Sequence, residues 1–324
     1  MRTIQAQAHG APEVLELVER ETPTPDRGQV CIDVAAAGLN FADIEKRRGR
    51  YPDGPRPPYT PGIEVSGRVV ATGPETSAET GDTVAAFVDG GGYAERVLAR
   101  EETVFEVPDA VSTPAAAGMP VQFLTAHNAL VEWGGLEAGE NVLVNAAAGG
   151  VGTAAVQIAS ARSDVTVIGT ASTAEKRDLA ASLGADDTID YTEASVADQL
   201  AGLTDGEGID LVLDGVGGEA FYEALDALAP CGRIVSYGMA SGTVPSVSLP
   251  RLLFENQSVL GYHLGHALET QPERVKEAVP KLHSLFESGD ASVHVGDRYP
   301  LSEAGTAHSA LQNRESTGKL LLIP

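Results

Sequence analysis

Along the first hundred or so positions, apolar residues come in short runs cut by Gly and Pro, a pattern of strands and turns. Residues 29–37, 65–71, 83–88 and 93–98 read as strands. Turns are signalled by Pro23-Thr24-Pro25, Pro55-Arg56-Pro57-Pro58 and Gly90-Gly91-Gly92. One helix is predicted to interrupt them, beginning at Phe41 and stopping before Gly49, with Arg47 and Arg48 in a last turn that favours cations. From Pro114 the period changes. A helical segment runs to about Trp133, and then short, continuously apolar runs (141–145, 165–169, 187–189, 209–213, 233–237) alternate with helical ones (153–161, 174–183). Strands that are apolar on both faces predict a parallel sheet covered by helices, a doubly wound α/β nucleotide-binding domain. The tail from about His263 adds a helix over 272–288 and a strand over 320–323 that returns to the first lobe. The predicted divisions are therefore 1–118, a mostly β unit, 119–262, the nucleotide-binding unit, and 263–324, rejoining the first.

The sharpest chemical signal lies where the first of those parallel strands ends, at Val142-Leu143-Val144-Asn145-Ala146-Ala147-Ala148-Gly149-Gly150-Val151-Gly152. A strand runs into small residues and a helix opens at once. The spacing Ala147-x-Gly149-x-x-Gly152 is that of a dinucleotide fingerprint with Ala in the first glycine's place. Gly149 lets the backbone approach a pyrophosphate, Gly152 lets helix and strand pack closely, and the helix N-terminus attracts the phosphates. The alternative, a tight turn that binds nothing, is disfavoured by the further βα units that follow.

The identity of the dinucleotide is written at the end of the second strand. An enzyme selecting NAD carries a carboxylate about 20 residues after the fingerprint, to hold the ribose hydroxyls. Here that strand ends Ile168-Gly169-Thr170-Ala171-Ser172-Thr173, and Lys176 and Arg177 follow within one turn. Hydroxyls and cations suit a 2′-phosphate, so NADP(H) is the expected cofactor. Glu175 and Asp178 flank the basic pair, as they would on a plain solvated helix face.

Composition changes this picture mainly by exclusion. The chain has 324 residues and a net charge of −24, from 46 acidic and 22 basic side chains. Such a surface repels phosphate backbones and anionic lipid, which excludes nucleic acid and membrane surfaces as partners. No apolar run approaches the roughly 18 residues of a spanning helix, and residues 1–11 lack the pattern of a secretory signal. Two cysteines, Cys31 and Cys231, provide neither a disulfide scaffold nor a cysteine-built zinc site and fit a reducing cytoplasm. Lys46, Lys176, Lys276, Lys281 and Lys319 are the only lysines. An acidic, lysine-poor surface fits work in concentrated salt, where self-repulsion is screened, ahead of the alternative of an ordinary acidic protein of a GC-rich genome.

Several motifs together resemble a known family. They are Ala36-Ala37-Gly38-Leu39-Asn40-Phe41-Ala42-Asp43, Pro61-Gly62-Ile63-Glu64-Val65-Ser66-Gly67, the loop 145–152, Asp214-Gly215-Val216-Gly217-Gly218, Ser236-Tyr237-Gly238 and the ending Gly318-Lys319-Leu320-Leu321-Leu322-Ile323-Pro324. In this order the chain resembles, over essentially its whole length, the zinc-independent, zeta-crystallin-like quinone oxidoreductase branch of the medium-chain dehydrogenase/reductase superfamily. The resemblance implies a Rossmann domain plus a GroES-like, mostly β catalytic domain, with the active site in the cleft between them. It implies a homodimer joined near Val259–Gly261. It places Asn40 by the nicotinamide and ribose and Thr125 at the carboxamide, with Gly149, Gly150, Val151 and Gly152 at the pyrophosphate. Thr170, Ser172, Lys176 and Tyr191 would surround the 2′-phosphate and adenosine ribose. Val216, Tyr237, Gly238 and His263 would line the nicotinamide pocket, with Arg314 and Lys319 as further cofactor contacts.

The departures from the wider superfamily bear on the reaction. Zinc-dependent members carry a Cys in the first motif and a His before the Glu of the second; here those stretches read Leu39-Asn40 and Ile63-Glu64. Without a Lewis acid to stabilise an alkoxide, alcohol oxidation is disfavoured, whereas hydride addition to an electron-poor acceptor is feasible. The expected activity is NADPH-dependent reduction of a quinone. The rivals are an NADPH-dependent enone or enoyl-thioester reductase, and a nucleotide-binding, crystallin-like protein with little turnover. Alkene reduction needs a proton donor, for which Tyr51 and Tyr59 are the candidates; for a quinone they need only be walls that stack on a flat substrate. Asp43 and Glu64 read as internal hydrogen-bond partners, and His127, His263 and His266 as packing or lining residues rather than metal ligands.

Overall fold

The computed structural model describes residues 1–324. Its strands are β1 (Arg2–Ala6), β2 (Leu15–Glu19), β3 (Gln29–Gly38), β4 (Glu64–Thr72), β5 (Thr83–Phe87), β6 (Arg96–Arg100), β7 (Val104–Glu106), β8 (Asn141–Val144), β9 (Thr166–Ala171), β10 (Asp187–Asp190), β11 (Ile209–Asp214), β12 (Leu228–Ser236), β13 (Ser258–Gly261), β14 (Val295–Pro300) and β15 (Lys319–Ile323). The chain divides into two compact units, 1–121 with 293–324, and 122–292.

The first unit is built on a seven-stranded sheet in the order β14-β15-β3-β4-β5-β7, with β6 also pairing β3, beside the antiparallel pair β1-β2. Its long strand β3 buries both faces over most of its length, so Val30, Ile32, Val65, Val69, Leu320 and Leu322 form one core with Ile4 and Tyr93. The predicted helix is Phe41–Arg48. Asp43 accepts the Asn40 N–H at 3.0 Å at its start, and Gly49 closes it in the left-handed conformation (φ 69°), which glycine adopts without strain.

The second unit holds a six-stranded, all-parallel sheet in the order β10-β9-β8-β11-β12-β13. Counted from β8, that is strand order 3-2-1-4-5-6, the Rossmann arrangement, whose topological switch point falls between β8 and β11. The central strands carry the continuous apolar runs, with Val142, Leu143, Val144, Leu211, Val212 and Leu213 fully buried between helical layers.

Two expectations are corrected. The chain returns to the first unit at Val293, not at His263, because the helices in between bury their apolar faces on the nucleotide unit. Phe286 packs at a tilt against Phe123 (ring centroids 4.8 Å), Asn128 Nδ2 donates to the Val275 carbonyl (3.3 Å), and the Ser292 N–H donates to Gln157 Oε1 (2.8 Å). The single helix expected over 272–288 is two, Pro272–Lys276 and Ala278–Ser288. Pro280 lies in the first turn of the second, where a missing N–H is tolerated. The helical segment before β8 is present as Thr113–Ala116 and a partly π-wound run to Trp133.

Candidate functional site

In the nucleotide unit the loop after β8 is tightly specified. Ala146 takes the positive φ (53°), Gly149 caps the helix Gly150–Ser160, and a Cβ on Gly152 would stand 2.8 Å from Ala147 Cα. The helix therefore closes at Gly152 on the turn that follows β8, and the left-handed residue of that turn is Ala146. Around Gly149 the nearest atom to an added Cβ is the Ala146 carbonyl oxygen at 3.2 Å, and the backbone there is extended (φ −82°).

Buried polar side chains hold this loop over the switch point. Thr170 Oγ1, at the end of β9, accepts the Ala146 N–H and donates to Asn145 Oδ1, both at 3.2 Å. Asn145 Nδ2 in turn donates to Asp214 Oδ1 at 3.1 Å, and the Asp214 carboxylate accepts the N–H groups of Val216 (3.1 Å) and Gly217 (3.0 Å). Burial holds the Asp214 pKa above the usual carboxylate value, and these bonds offset only part of the rise. Thr170, expected among the cofactor contacts, thus turns its hydroxyl inward as a clamp on the phosphate loop. Asn145 and Asp214 were missing from the candidate residues; the clamp joins the ends of three strands distant in sequence.

Beside the clamp, the Tyr237 ring packs against Gly215, where a Cβ would come within 2.6 Å of it, and Gly238 faces the Gly215 carbonyl. The Tyr237 hydroxyl is pushed upward by burial and by the Asp214 charge. At the end of β9, Ala171 is buried, Ser172 follows, and Thr173 caps the next helix by accepting the Lys176 N–H (3.3 Å). Arg177 is paired with Asp190 of β10, so of the two cations predicted for a 2′-phosphate one is committed to the neighbouring strand. Tyr191 is exposed just beyond β10, and Thr125 is buried in Leu124–His127. The exposed His263 ring caps Leu264–Thr270, its Nδ1 accepting the His266 N–H at 3.0 Å, so the two histidines form a helix cap.

In the first unit Asn40 lies at the N-terminus of Phe41–Arg48 with both ends of its amide held. Nδ2 donates to Glu64 Oε1 (2.8 Å) and Oδ1 accepts from Lys319 Nζ (2.9 Å). Lys319 also pairs with Glu64, whose other oxygen accepts the Val121 N–H at 2.9 Å. Lys319, expected as a direct cofactor contact, is only 2% exposed and spends its charge inside this cluster.

A second buried network adjoins it. Asp43 accepts from the Gly62 N–H (3.3 Å) and the Tyr93 hydroxyl (3.2 Å), and Tyr93 meets His308 Nε2 at 3.1 Å. Because the Tyr93 proton goes to the carboxylate, His308 Nε2 must carry the proton that Tyr93 accepts. Burial and the Arg47 charge hold His308 neutral, its pKa down at about 3. Tyr51 is half-buried beneath the Lys46 ammonium, 5.2 Å from its ring centroid. Tyr59 has a buried hydroxyl with no hydrogen-bond partner, pushed up to about 12 by burial and the Asp43 charge. Arg314 stands exposed on a left-handed turn (φ 60°) after Ala304–Gln312.

Comparison with known proteins agrees with both units. Residues 26–109 match the family model described as alcohol dehydrogenase GroES-like domain, and residues 150–284 that described as zinc-binding dehydrogenase. The chain is 38% identical over 331 residues to a quinone oxidoreductase of Pseudomonas aeruginosa, covering 100% of this chain and 99% of that one. It is 35% identical over 319 residues to the human synaptic vesicle membrane protein VAT-1 homolog, covering 93% of this chain and 80% of that one. The crystal structure of Escherichia coli quinone oxidoreductase complexed with NADPH superposes with a TM-score of 0.94 at 33% identity over 100% of both chains.

The zinc implied by the second of those descriptions does not fit the residues here. Leu39 and Ile63, at the ligand positions of the zinc-dependent relatives, are buried hydrocarbon, and Glu64 is bound to an ammonium. No cluster of three or more His, Cys, Asp or Glu side chains offers another site. No helix is long and apolar enough to cross a membrane.

Proposed function

This chain belongs to the zinc-independent quinone oxidoreductase branch of the medium-chain dehydrogenase/reductase superfamily, and on that premise we propose that it is an NADPH-dependent quinone reductase. The observation that carries the cofactor is the pairing of a clamped glycine loop at the switch point with a second strand that ends in Ala171 and Ser172 instead of a carboxylate. A cradle of this shape fits a pyrophosphate against Gly149, Gly150, Val151 and Gly152, where the helix N-terminus favours negative charge. Ser172, Lys176 and Tyr191 hold the 2′-phosphate and its ribose. Thr125, Val216, Tyr237, Gly238 and the backbone at His263 orient the nicotinamide, and Asn40 meets its ribose. The bound cofactor supplies the hydride. Tyr51 and Tyr59 serve as flat walls for the acceptor, and the reduced oxygens take their protons from water.

One observation favours a second reading. The Tyr59 hydroxyl is buried and without a hydrogen-bond partner, so its proton is uncommitted and can be offered to an enone or enoyl thioester. The absorbance of reduced nicotinamide, followed in high-salt buffer with a quinone, an enone and an enoyl-CoA as acceptors, separates the two. Turnover with quinones alone supports the first reading. Turnover with the alkenes, abolished in Tyr59→Phe, replaces it with the second, and NADPH binding without any turnover sinks both.

The same assay tests the cofactor assignment. Lys176→Ala is expected to lower kcat/KM for NADPH by about 10- to 100-fold, the worth of one charge-assisted hydrogen bond, and to leave NADH within about twofold. Equal losses with both cofactors would remove Lys176 from the 2′-phosphate.

We further propose a homodimer joined through β13, an edge strand. The helix just before it in sequence, Leu249–Glu255, exposes Leu249, Leu253 and Phe254, the last at 84%, and Val244 is exposed nearby in sequence. So much exposed hydrocarbon in the segment that leads into an edge strand supports an association surface. Phe254→Asp is expected to convert the dimer to a monomer in sedimentation at micromolar concentration. A wild-type monomer, or an unaltered dimer in the variant, would refute this interface.

A further inference from the structure

Lys319 enters β15 with its ammonium buried and its stem laid across Gly38. A Cβ at Gly38 would collide with the Lys319 side chain and come within 2.8 Å of Glu64 Oε1, so the backbone of β3 is bare where the lysine crosses it. The ammonium has two partners, Asn40 Oδ1 at 2.9 Å and Glu64 Oε1. Glu64 is fully buried. It has no other charged partner, and its remaining contacts are the Asn40 amide and the Val121 N–H.

These contacts orient Asn40. An ammonium only donates and a carboxylate only accepts, so the amide can lie one way: Oδ1 toward Lys319, Nδ2 toward Glu64. The second Nδ2 proton points to the Gly38 carbonyl at 3.4 Å. Both amide protons are thereby spent, and Oδ1, which also faces the Asp43 N–H in the capping box, is the one side-chain atom that can take a further bond. Asn40 can accept a hydrogen bond from a ligand and can donate none.

We propose that Lys319 is a positioning residue: with Glu64 it locks Asn40 as a pure acceptor for a ligand hydroxyl. This rests on the reading that Asn40 meets the ribose of NADPH. The ammonium does for Asn40 what a phosphate contact would not, since it sets which atom of the amide the cofactor meets. An Asn40 free to turn would present its N–H groups to the hydroxyl for part of the time, so that the hydroxyl would have to accept in place of donating and the bond would no longer be fixed in one direction.

The test compares wild type, Asn40→Ala, the paired variant Lys319→Met with Glu64→Gln, and the triple variant. The paired change removes both charges together and leaves no bare buried ion. NADPH affinity is read from fluorescence, and the Asn40 side-chain amide from 15N NMR, assigned by its loss in Asn40→Ala. Asn40→Ala and the paired variant are each expected to weaken NADPH about tenfold, the worth of one hydrogen bond. The triple variant should be no weaker than either, because the effects pass through one residue. The Asn40 amide protons should exchange slowly in wild type and quickly in the paired variant. Additive losses, or a paired variant with wild-type affinity, would overturn the proposal. Failure of wild type to bind NADPH would overturn the cofactor reading instead, and unchanged amide exchange in the paired variant would then still refute the lock.

Discussion

Lys319→Met alone is expected to lower the stability of the first unit by about 3–5 kcal/mol, the cost of leaving one member of a buried ion pair without its partner. Glu64 is inaccessible to solvent and Lys319 nearly so, and no second cation contacts the carboxylate. The Val121 N–H and the Asn40 amide would remain as donors, and two neutral hydrogen bonds do not replace a full charge. Adding Glu64→Gln should recover most of the loss, since a neutral amide can keep either bond and carries no charge to desolvate. The measurement is the urea midpoint of wild type, single and paired variants under one set of conditions. A single variant within about 1 kcal/mol of wild type would mean that water reaches the pair and that its burial is not maintained in solution.

Gly152→Ala is expected to weaken NADPH binding at least about 100-fold while costing about 1–3 kcal/mol of stability. In a helix interior, alanine normally improves on glycine by roughly 0.5–1 kcal/mol. Here the added methyl would lie 2.8 Å from Ala147 Cα and close to the Ala146 carbonyl, both backbone, so the helix itself must move. The helix carries the N–H groups of its first turn with it, and the loss of two charge-assisted bonds to a pyrophosphate accounts for the larger effect. Gly202, on the helix Val196–Leu203, is the control: nothing lies within 4 Å of an added Cβ there, and Gly202→Ala should leave binding unchanged and stability equal or higher. Fluorescence titration with NADPH reads both. Binding in Gly152→Ala within about threefold of wild type would show that the phosphates are held elsewhere.

What could be read in advance follows from how far apart the interacting residues are in sequence. The helix at Phe41–Arg48 was legible because its cap, its basic last turn and its terminating Gly49 all lie within ten residues. The phosphate loop was legible for the same reason, down to the contact at Gly152. The end of the nucleotide unit was not. Residues 263–292 have the composition of helices that could cover either unit, and only the packing of Phe286 on Phe123 and the bond from Asn128 to Val275 assign them. β14 escaped for another reason: an edge strand with Gly296, Asp297, Arg298 and Pro300 carries no apolar run to detect.

Among the candidate residues the same line divides success from correction. Thr170 and Lys319 are polar residues beside the right motifs, and sequence places them there correctly while leaving open which way each side chain turns. Thr170 turns inward because the Ala146 N–H and Asn145 converge on it, and Lys319 because Glu64, 255 positions earlier, is buried and needs a counter-charge. The sequence by itself determined the fold class, the phosphate loop and the missing carboxylate after β9, because each is a local matter of residue type, spacing and period, and its resemblance to the family implied that Leu39 and Ile63 stand where zinc ligands would be. Only the tertiary structure decided where the second unit ends and how Asn40, Glu64 and Lys319 become one device, because buried charges choose partners by proximity in the folded chain, and that proximity exists only once β3, β4 and β15 have paired.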